Sequence, residues 1–114
     1  MRIINRLFVM GVALLMAASL LTACGGKEER KAKYLERCKA YLAEKNYDKA
    51  KIEFKNVLQI DPKSAEGFLY LGQVDEKEQS WARAFGGYRK AIELDPDLIE
   101  PRIRLARLYL SQAS

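Results

Sequence analysis

The stretches "FKNVLQIDPKS" (residues 54–64) and "YRKAIELDPDL" (residues 88–98) end alike, and the prolines of their Asp-Pro dipeptides lie 34 residues apart. A period of roughly 20 to 50 residues is typical of repeat proteins. Laying residues 31–64 over residues 65–98 aligns matching residues, mostly at positions that helical spacing would bury. The identical pairs are Leu35/Leu69, Glu44/Glu78, Ala50/Ala84, Asp61/Asp95 and Pro62/Pro96. The similar pairs are Tyr34/Phe68, Tyr47/Trp81, Phe54/Tyr88, Lys55/Arg89, Leu58/Ile92 and Ile60/Leu94. The period therefore reflects structure rather than composition.

Each unit is predicted to contain two helices joined by a short polar turn. The predicted helices are 31–44 and 47–60 in the first unit, and 65–78 and 81–94 in the second. Lys45-Asn46 and Gln79-Ser80 form the turns, and Ser80 is expected to be an N-cap. The Asp-Pro dipeptides end the second helices, because the residue before a proline is disfavoured in the α region.

Residues 99–112 resemble the first helix of a third unit, and Pro101 suits its first turn. Helical spacing gives this segment two apolar faces. Leu105, Leu108 and Tyr109 lie on one face, and Ile99, Ile103, Ala106 and Leu110 lie on the other. One neighbouring helix cannot cover both, and a terminal repeat normally has a polar outer face. Either the chain is the leading part of a longer array, or another subunit or partner covers its last helix.

The spacing and residue types resemble the tetratricopeptide repeat. In the first unit the family pattern is met by Tyr34, Tyr41, Ala50, Phe54 and Pro62. In the second it is met by Phe68, Leu71-Gly72, Ala84, Tyr88, Ala91 and Pro96. The departures from it are Arg37-Cys38, Val57 and Asp75. The resemblance implies an all-α solenoid of antiparallel helix hairpins, with full repeats at 31–64 and 65–98 and a partial repeat at 99–114.

The resemblance also implies a concave surface, lined by the first helix of each unit, that binds a protein or peptide segment. The residues expected there, which we call the predicted groove, are Leu35, Lys39, Leu42, Leu69, Gln73, Glu76, Ile103 and Arg107. Tetratricopeptide clamps for a C-terminal carboxylate use Lys, Asn or Arg at particular groove positions, and three of these positions hold Leu35, Leu69 and Ile103, so such a clamp is not expected. An amphipathic helix or extended segment with apolar anchors and acidic residues fits better. The alternative is that the leucines only complete helix packing.

The amino terminus resembles a targeting signal. Arg2 and Arg6 form a basic region, and Leu7 to Leu21 contains no charge. A membrane-spanning helix needs about 20 apolar residues, whereas the apolar region of a secretory signal is shorter. Residues 1–23 are therefore predicted to be a cleaved signal peptide rather than an anchor.

The sequence Leu21-Thr22-Ala23-Cys24 resembles the bacterial lipobox. This resemblance implies cleavage before Cys24 and attachment of lipid to its thiol, with residues 24–30 as a tether to the repeats. Several acyl chains would hold the protein at a membrane surface. Gly25, where retained inner-membrane lipoproteins often carry Asp, favours the outer membrane facing the periplasm. The alternative for Cys24 is a buried or disulfide-bonded thiol.

The remaining composition argues against catalysis and nucleic-acid binding. The chain has no histidine, and it lacks the Cys-x-x-Cys, phosphate-loop and nucleophile-elbow motifs. Its net charge of +5 comes from basic residues interleaved with acidic ones rather than clustered on one face. We therefore expect no enzyme activity, no cofactor, no metal and no nucleic acid.

Three further expectations concern individual residues. Asp75, Glu76 and Glu78 are predicted to form a solvated face at a helix end. Cys38 is predicted to be a small buried residue in place of glycine rather than a redox group. Gly86-Gly87, which lies inside a helix, is attributed to close packing in preference to a hinge.

Together these features predict a non-enzymatic, membrane-tethered interaction scaffold of the bacterial envelope. Residues 46–97 are similar to the amino-terminal repeats of the long tetratricopeptide lipoproteins of exosortase (PEP-CTERM) systems. That resemblance implies a role in exopolysaccharide export or in the sorting of PEP-CTERM surface proteins. The alternatives are a pilotin-like lipoprotein of type IV pilus assembly, an outer-membrane assembly lipoprotein, or a structural module that self-associates through its last helix.

Overall fold

The computed structural model describes the backbone of residues 2–113 and the side chains of residues 3–6 and 26–113. Over this range the chain is all-helical. Its five helices are α1 (Arg2–Ala43), α2 (Tyr47–Ile60), α3 (Ala65–Lys77), α4 (Trp81–Leu94) and α5 (Glu100–Ala113). The chain divides into two compact units, residues 1–30 and 31–114. The predicted lipid site, Cys24, lies outside the residues whose side chains are described.

The start of α1 differs from the sequence prediction. We expected a helix beginning near Lys31, but α1 begins at Arg2 and includes the segment predicted as a tether. The reason is local, since the Leu, Met and Ala residues of the intact amino terminus are strong helix formers. In the part of the chain that the structure describes, no helix combines the length and apolar character needed to cross a membrane.

The turn that follows α1 closes the helix in the same way as the turn that follows α3. Lys45 and Gln79 adopt left-handed backbone angles, with φ of 63° and 61°. The next amide in each turn donates back five residues, from Asn46 to Tyr41 O and from Ser80 to Asp75 O, both at 2.8 Å. This pattern is the Schellman closure, which satisfies carbonyls left open at a helix end.

The helices α2, α3 and α4 begin with different caps. The Asn46 side chain accepts from the Lys49 amide at 3.3 Å, and the Ser64 hydroxyl accepts from the Gly67 amide at 3.1 Å. The prediction for Ser80 is only half right, because Ser80 occupies the cap position of α4 but makes no side-chain cap bond. Its hydroxyl instead accepts from the Arg83 guanidinium at 2.8 Å. The charged donor takes the oxygen that would otherwise face the helix amides.

Both second helices end at an Asp-Pro dipeptide, as predicted. Asp61 and Asp95 have nearly identical extended backbones, with φ of −139° in each case. Their carboxylates accept from the amides two residues on, those of Lys63 and Asp97, at 3.0 and 3.1 Å. These local hydrogen bonds fix the chain reversal into the next helix.

Two buried clusters form the core of residues 31–114. One contains Cys38, Ala50 and Val74, and the other contains Leu69, Ala84, Tyr88, Ala91 and Leu108. Cys38 is 1% exposed, so its prediction as a small buried residue is confirmed. Burial, and then the negative charge of Glu53, raise the pKa of the Cys38 thiol to about 11.

Close packing of α3 against α4 explains one of the two helical glycines. A Cβ on Gly87 would lie 3.0 Å from the Gly72 Cα, and a Cβ on Gly72 would lie 2.7 Å from the Tyr88 ring. A Cβ on Gly86 would meet nothing within 4 Å. The packing explanation therefore holds for Gly87 and is wrong for Gly86.

The two faces of α5 behave as the helical spacing predicts. Leu108 is 3% exposed, and Leu105 packs against the same cluster. On the opposite face Ile99 is 68% exposed and Leu110 is 72% exposed. The structure thus leaves an outward apolar face on the last helix.

Candidate functional site

Side-chain contacts join the first helices of successive repeats directly. The Lys39 ammonium of α1 lies 5.3 Å from the centroid of the Tyr70 ring in α3. Glu76, six residues after Tyr70 in α3, lies 4.0 Å from the Arg104 guanidinium of α5. These two contacts link α1 to α3 and α3 to α5. We call Lys39, Gln73, Glu76, Ile103 and Arg107 of the predicted groove, together with Tyr70 and Arg104, the row of first helices.

The leucines of the predicted groove lie mainly in the core. Leu35 is 8% exposed and Leu69 is 4% exposed, and Leu69 belongs to the cluster around Tyr88. Leu42 is half-buried and packs against the cluster around Cys38. These side chains pack in the core and present little surface to a ligand.

The accessible residues of the predicted groove are mostly charged. Lys39 and Arg107 are exposed, and Ile103 is 42% exposed. Gln73 is 8% exposed, so only part of its side chain reaches the surface. Lys39 also donates to Glu36 at 3.1 Å, and the bonds to Glu36 and then Tyr70 raise the pKa of Lys39. This ammonium is therefore charged at neutral pH.

A hydrogen-bonded network fixes Glu76. Its carboxylate accepts from the Tyr88 hydroxyl and faces Arg104, whose Nε donates to Glu100 at 2.8 Å. Burial and the bond to Glu76 raise the pKa of the Tyr88 hydroxyl well above its usual value. The phenol therefore stays protonated and holds the carboxylate in one position.

Two residues of this row, Tyr70 and Arg104, are not among the residues of the predicted groove. Each stands one position after a predicted groove residue, Leu69 and Ile103 respectively. A helix of 3.6 residues per turn places adjacent positions about 100° apart, so both neighbours can border one surface. Extending the prediction by one position in each first helix would have found them.

The prediction of a solvated acidic face is wrong for Asp75. Asp75 is 3% exposed, whereas Glu76 is half-buried and Glu78 is exposed. Side chains of the neighbouring helices α2 and α4 cover Asp75, and a sequence pattern within α3 cannot reveal contacts with other helices. Burial raises the pKa of the Asp75 carboxyl, and Arg83 and Lys51 oppose that effect. Arg83 Nε lies 3.7 Å from the carboxylate.

A cavity of about 350 Å³ lies beside Leu35 of the predicted groove. Leu35 lines it together with Lys31 and Asp61, which form an ion pair at 3.2 Å. Among the residues whose side chains are described, no group of three or more Cys, Asp or Glu is arranged to hold a metal ion. The exposed side chains of Ile103, Lys39 and Arg107 offer apolar contact and charge to a ligand.

Comparisons with known proteins identify the fold. No family model matches the chain. The chain is 33% identical over 70 residues to the type IV pilus assembly protein PilF of Pseudomonas aeruginosa, a match that covers 61% of this chain and 28% of PilF. The chain thus spans little more than a quarter of the length of that relative.

Two solved structures have the same architecture. One is the TPR2B domain of yeast Sti1 in complex with pHsp70, with a TM-score of 0.67, 22% identity, and coverage of 73% of this chain and 66% of that one. The other is the first TPR of Spaghetti (RPAP3) bound to the HSP90 peptide SRMEEVD. Its TM-score is 0.66 at 19% identity, and it covers 74% of this chain and 67% of that one. The chain has the tetratricopeptide-repeat fold.

Proposed function

We propose that this chain is a non-enzymatic scaffold of the bacterial envelope that binds a segment of a partner protein along the row of first helices. The observation that carries this proposal is the direct contact of Lys39 with Tyr70 and of Glu76 with Arg104. A ligand lying across the row would meet all three helices at once. The peptide complexes of the two structural neighbours support this mode of binding.

The charges of the row favour a particular kind of segment. Lys39 and Arg107 are exposed cations, and Ile103 is an exposed apolar side chain. A segment with acidic residues and an apolar anchor would complement them. We do not expect capture of a C-terminal carboxylate, because Leu35, Leu69 and Ile103 occupy positions where such a clamp needs polar side chains.

Site-specific photo-crosslinking in living cells tests the binding surface. A photoreactive amino acid at Lys39, Ile103 or Arg107 should form a crosslink to one and the same partner. The matched control is Ile52, which is 56% exposed on α2 and outside the row. Crosslinks of equal yield at Ile52, or different proteins at each row position, would contradict the proposal.

The membrane anchor is a separate part of the proposal and rests on the lipobox around Cys24. We expect radiolabelled palmitate on the wild-type chain and on Cys38→Ser, but none on Cys24→Ser. Cys38 is the natural control because it is the other cysteine of the chain. Equal labelling of the two serine variants, or no label on the wild type while a control lipoprotein is labelled, would refute anchoring at Cys24. If Cys24 is labelled, membrane fractionation tests the further expectation that the protein lies in the outer membrane and faces the periplasm.

The match to PilF favours a role in type IV pilus assembly over the other envelope pathways. Deletion of the gene in its own organism should then reduce surface pili, and the wild-type gene should restore them. Export of exopolysaccharide or sorting of PEP-CTERM proteins remains the prediction from the sequence resemblance. Loss of exopolysaccharide with normal pili would support it against the pilus role.

Self-association is a second candidate function, because α5 has an outward apolar face with Ile99 68% exposed. Sedimentation of the full chain in mild detergent should then detect a dimer that Ile99→Glu dissociates. A monomer at all concentrations would exclude this candidate and leave the peptide-binding proposal unaffected.

A further inference from the structure

The second repeat lacks an aromatic side chain that the third repeat has. Tyr41, Asp75 and Tyr109 lie 34 residues apart and occupy the same repeat position. Tyr109 packs its ring against Phe85 of α4, with ring centroids 4.9 Å apart. Its hydroxyl accepts from the Arg89 guanidinium at 2.6 Å. An aromatic ring therefore covers the junction between the second helix of repeat two and the first helix of repeat three.

At the equivalent junction one repeat earlier, a cavity takes the place of the ring. The counterparts of Phe85 and Arg89 are Lys51 and Lys55 of α2. Together with Asp75 they line a cavity of about 390 Å³, which we call the Asp75 cavity. Its apolar walls are Phe54, Leu58 and Leu71. Because a carboxylate is much shorter than a phenol, Asp75 leaves open the space that a tyrosine would occupy.

Cations surround the Asp75 cavity. Lys51 pairs with Glu78 at 2.7 Å, and Arg83 reaches Asp75 at 3.7 Å while its side chain stays 68% exposed. Lys55 is exposed and has no acidic partner within 4 Å among the residues whose side chains are described. The rim can therefore accept negative charge, and the Lys55 ammonium can donate to an incoming hydroxyl as Arg89 donates to Tyr109.

The single carboxylate of the cavity opposes an acidic ligand only weakly. Asp75 is 3% exposed, and burial raises the pKa of its carboxyl. The Arg83 Nε lies 3.7 Å from the carboxylate and offsets part of its charge toward a ligand.

We propose that the Asp75 cavity binds a tyrosine side chain, flanked by acidic residues, on a partner protein. The ring would pack against Phe54, Leu58 and Leu71, and the flanking carboxylates would face Lys55 and Arg83. The occupant follows from the chain itself, since Tyr109 fills the equivalent junction, and from the positive rim. This site is distinct from the row of first helices, because α2 supplies most of its walls. It goes beyond the proposed function and does not depend on it.

A peptide titration followed by amide NMR shifts of the full chain in mild detergent tests this site. The probe is an acetylated, amidated pentapeptide with a central tyrosine between two pairs of glutamates. Its two controls replace the tyrosine by alanine or the glutamates by glutamines. We expect the probe to shift amides near Leu71 and Asp75, and each control to bind at least tenfold more weakly. Equal binding of the alanine control would overturn the proposal.

Two variants at position 75 separate occupancy of the cavity from loss of its charge. Asp75→Tyr should fill the cavity and reduce peptide affinity at least tenfold, whereas Asp75→Ala should retain binding. Both remove the carboxylate, so only the added ring distinguishes them. Undiminished binding by Asp75→Tyr, or equal loss in both variants, would overturn the proposal.

A charge reversal at the rim keeps the proposal testable if Asp75→Tyr does not fold. Lys55→Glu should weaken the glutamate peptide at least fivefold while leaving the glutamine peptide nearly unchanged. Lys77→Glu is the matched control, because Lys77 is an exposed lysine of α3 outside the cavity. Equal loss of affinity in the two variants would show that only the net charge of the protein governs peptide binding, and this result would overturn the proposal.

Discussion

At the scale of single residues, alanine substitutions at Gly86 and Gly87 distinguish the stability gained from helix propensity from the stability lost by disturbing close packing. Both are interior to α4, so alanine at either should gain about 0.5 to 1 kcal/mol of helix stability. Gly86→Ala should keep this gain, because its Cβ would enter open space. Gly87→Ala should instead lose about 1 to 3 kcal/mol, because the Cβ meets the Gly72 backbone, which cannot rotate away. Chemical denaturation of the two variants measures the difference, and equal stabilities would refute the packing explanation.

Cys38 is expected to be chemically inert in the folded protein. The thiolate is the reactive form, and a pKa of about 11 leaves on the order of one thousandth of the thiol ionised at pH 8. Burial to 1% exposure further blocks reagents. In the Cys24→Ser chain, an aromatic disulfide reagent should label Cys38 at least a hundredfold more slowly in buffer than in denaturant. Comparable rates in both would contradict its place in the core.

Asp75 is expected to make stability depend on pH in a defined direction. Burial raises the pKa of its carboxyl in the folded chain above the ordinary value of 3.8, so between these two values the folded chain binds more protons than the unfolded chain. The free energy of unfolding therefore falls as pH rises through this window, and it does not recover at neutral pH. Asp75→Asn removes that contribution. Its stability relative to wild type should rise between pH 3 and pH 7, and a constant difference would contradict the raised pKa.

At the scale of elements, the turns after α1 and α3 each contain a non-glycine residue with strained, left-handed backbone angles. Lys45 and Gln79 occupy the left-handed position of a Schellman closure, where glycine is preferred. Lys45→Gly or Gln79→Gly should therefore stabilise the protein by about 0.5 to 1 kcal/mol, since the relief of strain exceeds the added freedom of the unfolded chain. Thermal unfolding measures the change.

Gln59→Gly is the matched control for the turn variants. Gln59 is an exposed glutamine inside α2, where glycine costs stability without relieving strain. Gln79→Gly and Gln59→Gly should thus move the midpoint in opposite directions. Destabilisation by both would mean that the left-handed positions are not strained.

At the scale of the whole molecule, the repeat pattern predicted the helices but not all of their surroundings. The bounds of α2 and α4 follow from apolar spacing and the Asp-Pro stops, which are properties of the local sequence. The burial of Asp75 depends on side chains of α2 and α4, which no pattern within α3 contains. The Ser80 hydroxyl is taken by Arg83, three residues further on, and the capping rule alone does not anticipate this local contact. For the predicted groove, the sequence named residues on the first helix of each repeat, α1, α3 and α5. It could not separate Leu35 and Leu69, which are buried by neighbours, from exposed Lys39 and Arg107.

The repeat architecture also predicts that local stability decreases toward α5. In a repeat protein each helix is stabilised mainly by its nearest neighbours. The hairpin of α3 and α4 has packed helices on both sides, whereas α5 buries Leu108 against the core and leaves Ile99 68% exposed. Amide hydrogen exchange of the full chain in mild detergent should therefore be at least tenfold faster in α5 than in α3 and α4.

Leu108→Ala should remove about 2 to 3 kcal/mol from the opening free energy of α5. Because α2 does not contact Leu108, its exchange should stay unchanged. Equal protection of all these helices, or acceleration of α2 by Leu108→Ala, would instead show that the repeats unfold as one cooperative unit.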